Sequence, residues 1–112
     1  MGEIICGVDL SKEVTPVIAR DAIIECFYEA HKNLLEDKIQ VKEEEKEKFT
    51  RAAVTAIIKE ILKKNNQDFD NPTKESLILL CDELAKFARS FREEKLIKKN
   101  YQQMMRVIEK IK

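Results

Sequence analysis

The sequence predicts an all-α protein, a compact bundle of four helices, mostly antiparallel, with a short N-terminal arm. Three observations carry that expectation. Only two glycines and two prolines occur in 112 residues, too few for the turns of an all-β domain. Both glycines, Gly2 and Gly7, precede the first helical pattern. Apolar residues recur at steps of three and four along most of the chain, and a chain of this length can bury a core without covalent staples. The expected organisation is a single domain, 1–112, with 1–14 as the arm.

The arm, MGEIICGVDLSKEV, is apolar at Ile4, Ile5, Cys6, Val8 and Leu10 but interrupted by glycine. It reads as a segment laid over the bundle, or as a helical turn from Ser11. A lone strand would have nothing to pair with unless a second copy supplied it. Thr15-Pro16 reads as an N-cap followed by proline at the first helical position, which opens helix one over Pro16 to Lys38. Its apolar face is Ile24, Phe27, Tyr28, His31, Leu34 and Leu35. A connection over Ile39 to Lys42 follows.

Helix two opens on Glu43, Glu44, Glu45 and Glu47, acids that suit the positive end of a helix dipole, and runs to Asn65. Its polar stripe is narrow: Glu44, Lys48, Arg51, Thr55, Lys59 and Lys63. Nearly everything else in Phe49 to Leu62 is apolar, so this helix is expected at the centre of the bundle. Asn65 to Asn71 is the clearest loop, with Phe69 expected to tuck onto the bundle. Asn71-Pro72 repeats the cap-and-proline pattern and starts helix three. There Leu77, Leu80, Leu84, Phe87 and Phe91 form one seam, and Ile97, Tyr101, Met104, Ile108 and Ile111 form another out of phase with it. That mismatch predicts a tight turn near Arg92 to Lys95, with one long drifting helix as the alternative.

Net charge is zero, 21 basic against 21 acidic residues, which does not suggest a general polyanion binder. The charge is uneven along the chain. Residues 1–40 hold four basic and eight acidic groups, and residues 74–112 hold ten basic and six acidic. The first and last helices are therefore expected to be neighbours that attract. Lys95, Lys98, Lys99, Arg106 and Lys110 form a candidate basic face on the last helix, with Tyr101 nearby. A nucleic-acid accessory role would use it.

The remaining constellations are weak. Glu43-Glu44-x-x-Glu47 has a magnesium-holding spacing, but no E-x-x-D follows it. Asp68-x-Asp70 lacks the glycine and final glutamate of a calcium loop. A di-iron bundle needs paired E-x-x-H motifs, and His31 is the only histidine. Cys6, Cys26 and Cys81 are odd in number and show no C-x-x-C spacing, so neither zinc nor a disulfide framework is expected. A site would require Cys26, His31 and Cys81 to converge. No glycine-rich phosphate loop, 18-residue apolar run or signal-peptide pattern occurs, and the expectation is a reduced, cytoplasmic protein without cofactor or membrane partner. Glu, Lys and Ile number 15, 16 and 13, a bias of heat-adapted proteins. The functional expectation is a small non-enzymatic interaction module, self-associating or bound to a partner helix.

Overall fold

The computed structural model describes residues 3–38 and 40–111, and for residue 91 the backbone alone. Ile39, the start of the expected first connection, lies outside them. Four helices pack against one another, mostly antiparallel: α1 (Pro16–Glu36), α2 (Lys46–Lys64), α3 (Lys74–Ala88) and α4 (Glu94–Glu109). An antiparallel hairpin of β1 (Ile4–Ile5) and β2 (Val8–Asp9) precedes them. No described helix is long and apolar enough to cross a membrane.

The arm thus pairs with itself. Cys6 and Gly7 both take positive φ, 53° and 80°, as a two-residue hairpin turn requires. Glycine costs nothing there, and the cysteine is held by its bond to α1. Cys6 is joined to Cys26, with Cα atoms 5.2 Å apart. This corrects the expectation of three reduced thiols. The pairing spans 20 residues and is created by the hairpin, so no local spacing announces it. Arg106 of α4 ion-pairs with Glu3 at the start of the arm, and Val14 bridges to Ile111.

Helix α1 begins as expected, with the Thr15 hydroxyl accepting from the Ile18 N–H at 3.2 Å and Pro16 in the first turn. It ends two residues earlier than expected, at Glu36. The glutamates Glu43–Glu45 form a separate 3-10 turn ahead of α2. The start of α3 is corrected as well. Its cap is Thr73 rather than Asn71, because Thr73 and Ser76 satisfy each other's backbone N–H in a capping box. Phe69 does tuck in: the Arg20 guanidinium lies 4.5 Å from its ring and donates to its carbonyl at 3.0 Å. Between α3 and α4, a 3-10 turn (Arg89–Phe91) ends on Arg92 in the left-handed region, φ 58° and ψ 28°. The out-of-phase seams therefore meet at a turn and not in one long helix.

The largest correction concerns α2. It buries only Thr50, Val54, Ile58 and Leu62, a single line at four-residue steps. The hub is α1, which packs against α2, α3 and α4 and buries Ala19, Ala22, Ile23, Cys26, Phe27, Tyr28, His31 and Leu35. Ala19, Ala22 and Cys26 are small, so neighbours close in on several sides of this helix. The alanines of α2 fall the other way: Ala52 and Ala56 are exposed and Ala53 half-buried. Apolar content alone does not distinguish a helix surrounded by protein from one with an apolar outer face.

Within this core the Thr50 hydroxyl is fully buried and has no hydrogen-bond partner among the described residues. Thr50→Val keeps the shape and removes an unsatisfied polar group. It should raise stability by about 1 kcal/mol in urea unfolding. A variant less stable than the native chain would show that the hydroxyl is satisfied.

Candidate functional site

The candidate thiol–imidazole constellation does not form a reactive centre. Cys26 is consumed in the disulfide. Cys81 is fully buried, and burial, with Asp82 adjoining, pushes its thiol well above the ordinary range, so it is an unreactive core group. His31 is buried against Phe27, ring centroids 4.6 Å apart. Among the described residues no group of three His, Cys, Asp or Glu side chains is placed to hold a metal. The acidic run is solvated: Glu43 pairs with Lys46 and Glu47 with Arg51.

Burial pulls the His31 pKa below its ordinary 6.5. Above that pH the imidazole is neutral in both states. As pH falls below it, the unfolded chain binds a proton the folded chain refuses, so stability declines until the folded-state pKa is passed. His31→Leu should abolish that slope between pH 7 and 5 while keeping the fold. Equal slopes in the two proteins, read as denaturant midpoints, would contradict it. The Glu25 contribution falls in a lower window. The hydrogen bond from Arg51 holds its carboxyl below the usual 4.5, and that stability disappears only as pH falls under that value.

The five residues of the candidate basic face are all exposed, Lys95, Lys98, Lys99 and Arg106 on α4 and Lys110 at its C-cap. The buried residues Asn100, Met104, Val107 and Ile108 lie on its opposite side. The structure nevertheless separates four of the five. Arg106 is neutralised by Glu3. Lys99 faces a cavity of about 310 Å³ beside the disulfide, across from Glu25 and Glu29. At the edge of that cavity Asn100, buried, donates to the Cys26 carbonyl at 3.0 Å and ties α4 to α1. Lys95 and Lys98 instead join Lys86 of α3 and Arg89 and Arg92 of the turn. The basic site that the fold builds is thus a corner between two helices.

That corner holds two cavities. One, about 550 Å³, has half-buried Ala85, Ile97 and Tyr101 at its floor and exposed Lys86, Arg89 and Lys98 at its rim, with Asp82 and Glu94. The Tyr101 hydroxyl donates to Asp82 at 2.8 Å, which fixes the ring and raises the phenol above its usual pKa. The other, about 560 Å³, adds Arg92, Glu93 and Lys95.

A second surface lies on α2 and α3. Phe49 is 45% exposed and Phe87 39%. Between them Ala52 and Ala56 are open to solvent, and Ala53 and Ile57 are half-buried. An open groove of about 450 Å³ runs there, lined by Ala56, Ile57, Glu60, Ile61, Lys64 and Phe87. Phe87 was expected in the core seam. It caps the groove instead, although its ring still meets Phe27 at 6.2 Å. Helix periodicity identified the apolar residues of this face but not their exposure.

No protein-family model, curated protein or solved structure matches the chain.

Proposed function

We propose that the chain is a non-enzymatic helical interaction module that associates with a second copy of itself through the outer face of α2. The observation that carries this reading is the apolar strip Phe49, Ala52, Ala53, Ala56 and Ile57, continued by Phe87. A lone exposed phenylalanine needs no explanation, but a continuous apolar strip along one helix does.

A second copy is favoured over an unrelated partner by the order of residue sizes. The strip places a large ring at its N-terminal end and a run of alanines in its middle. In an antiparallel two-fold contact, each Phe49 lies over the other copy's alanines, and the small residues let the backbones approach closely. The opposed helix directions also bring the positive end of each α2 near the negative end of the other.

The same reading keeps the protein in the cytoplasm. A Cys6–Cys26 bond is compatible with that location in a heat-adapted cell, whose intracellular proteins retain disulfides, and the Glu-, Lys- and Ile-rich composition points to such a source.

A dilution series followed by amide chemical shifts tests the surface. The expected result is concentration-dependent shifts confined to Phe49–Ile61 and the Phe87 region. Shifts elsewhere, or none up to millimolar protein, would overturn the reading.

A further inference from the structure

The arginines divide into two groups. Arg20 holds Asp21, Arg51 holds Glu25 and Glu47, and Arg106 holds Glu3. The other two, Arg89 and Arg92, hold no carboxylate among the described residues, and both stand at the α3–α4 corner. Lys95 and Lys98 beside them are equally without a carboxylate partner there. A protein with zero net charge has thus gathered in one place four cations outside any ion pair among the described residues, where they and Lys86 outnumber the carboxylates Asp82, Glu93 and Glu94.

Arg92 adds a second argument. It occupies the left-handed region, where a β-carbon costs roughly 1–2 kcal/mol and glycine is the usual solution. Asn66 also has positive φ, but asparagine tolerates it, and Cys6 sits in a disulfide-tied hairpin turn. Arg92 caps the 3-10 turn, its N–H donating to the Arg89 carbonyl at 3.1 Å, a position that glycine fills without strain, so the turn itself does not require a charged side chain there.

We propose that this corner binds single-stranded nucleic acid. Arg89, Arg92, Lys95 and Lys98 take successive backbone phosphates, and the floor of Ala85, Ile97 and Tyr101 receives a base. Guanidinium groups fit phosphate oxygens through two parallel hydrogen bonds. A cavity of about 550 Å³ with a half-buried apolar floor, and a rim where Lys86, Arg89 and Lys98 outnumber Asp82 and Glu94, suits a flat ring attached to an anionic chain. An acidic peptide would satisfy the cations and leave the floor empty. The site shares no residue with the α2–α3 groove, so it stands or falls apart from self-association.

The test is fluorescence anisotropy of the full chain with a labelled single-stranded oligonucleotide, in a salt series. Binding should be measurable at low salt. The slope of log affinity against log salt should fall by about one for each cation removed in Arg89→Gln and Lys98→Gln. Arg106→Gln, outside the corner, should leave affinity unchanged. Arg92→Gly should raise the melting temperature and weaken binding, a combination that loss of fold cannot produce. No binding at low salt overturns the proposal. So does equal loss in Arg106→Gln, which would indicate diffuse attraction to α4. Binding of duplex or inorganic polyphosphate as tight as that of the single strand would also overturn it, since neither offers a free base to the floor.

Discussion

Phe27→Ala should lower stability by about 3–5 kcal/mol, a large share of what a domain of this size possesses. Phe27 is 1% exposed and packs against both His31 and Phe87 from the middle of α1. The change leaves a cavity where three helices converge on a fourth. Phe49→Ala removes an equally large ring from α2 but should cost the monomer much less, because that ring is 45% exposed. The contrast places the centre of the bundle at α1. Within α2 the same logic separates neighbours. Ile58 is fully buried, and Ile58→Asp should leave no cooperative unfolding transition, since an unpaired buried carboxylate costs several kcal/mol. Ile57 is half-buried on the open groove, and Ile57→Asp should stay folded. Loss of fold in both would restore α2 to the centre.

Reducing the Cys6–Cys26 bond should cost about 3 kcal/mol, from the chain entropy regained when a loop of this length is opened. The native fold should survive, because four packed helices remain. The hairpin would then rely on Glu3–Arg106 and on the burial of Ile5. Urea unfolding with and without reductant, and of Cys6→Ser, reads the effect. Equal midpoints would show that the bond contributes nothing. Thiol counting adds a second check: the oxidised, unfolded chain should expose one reactive thiol, Cys81.

Much of the architecture was legible because local signals were strong. Thr15-Pro16 marks the start of α1, and the phase break between Leu84 and Ile97 marks the turn that Arg92 makes. Other features depend on distant residues. The pairing of Cys6 with Cys26 needs the hairpin, and the neutralisation of Arg106 needs Glu3, 103 positions away. The rank of α2 was misread because alanine fits a close helix contact and a solvent face equally well. Of the candidate basic face, Lys95 and Lys98 fall at the charged corner. Other cations there, Lys86 of α3 and Arg89 of the 3-10 turn, precede α4 in the chain and join them only through the turn.

The central claim is that the outer face of α2 is a surface for a second copy, set on a bundle organised by α1. Sedimentation equilibrium of the native chain beside Ala56→Glu tests it most directly. Ala56 is exposed, so the substitution leaves the core untouched. The account predicts a dimer at micromolar concentration for the native chain and a folded monomer for the variant. A native chain that is monomeric throughout, or a variant that dimerises as well as the native chain, would contradict it.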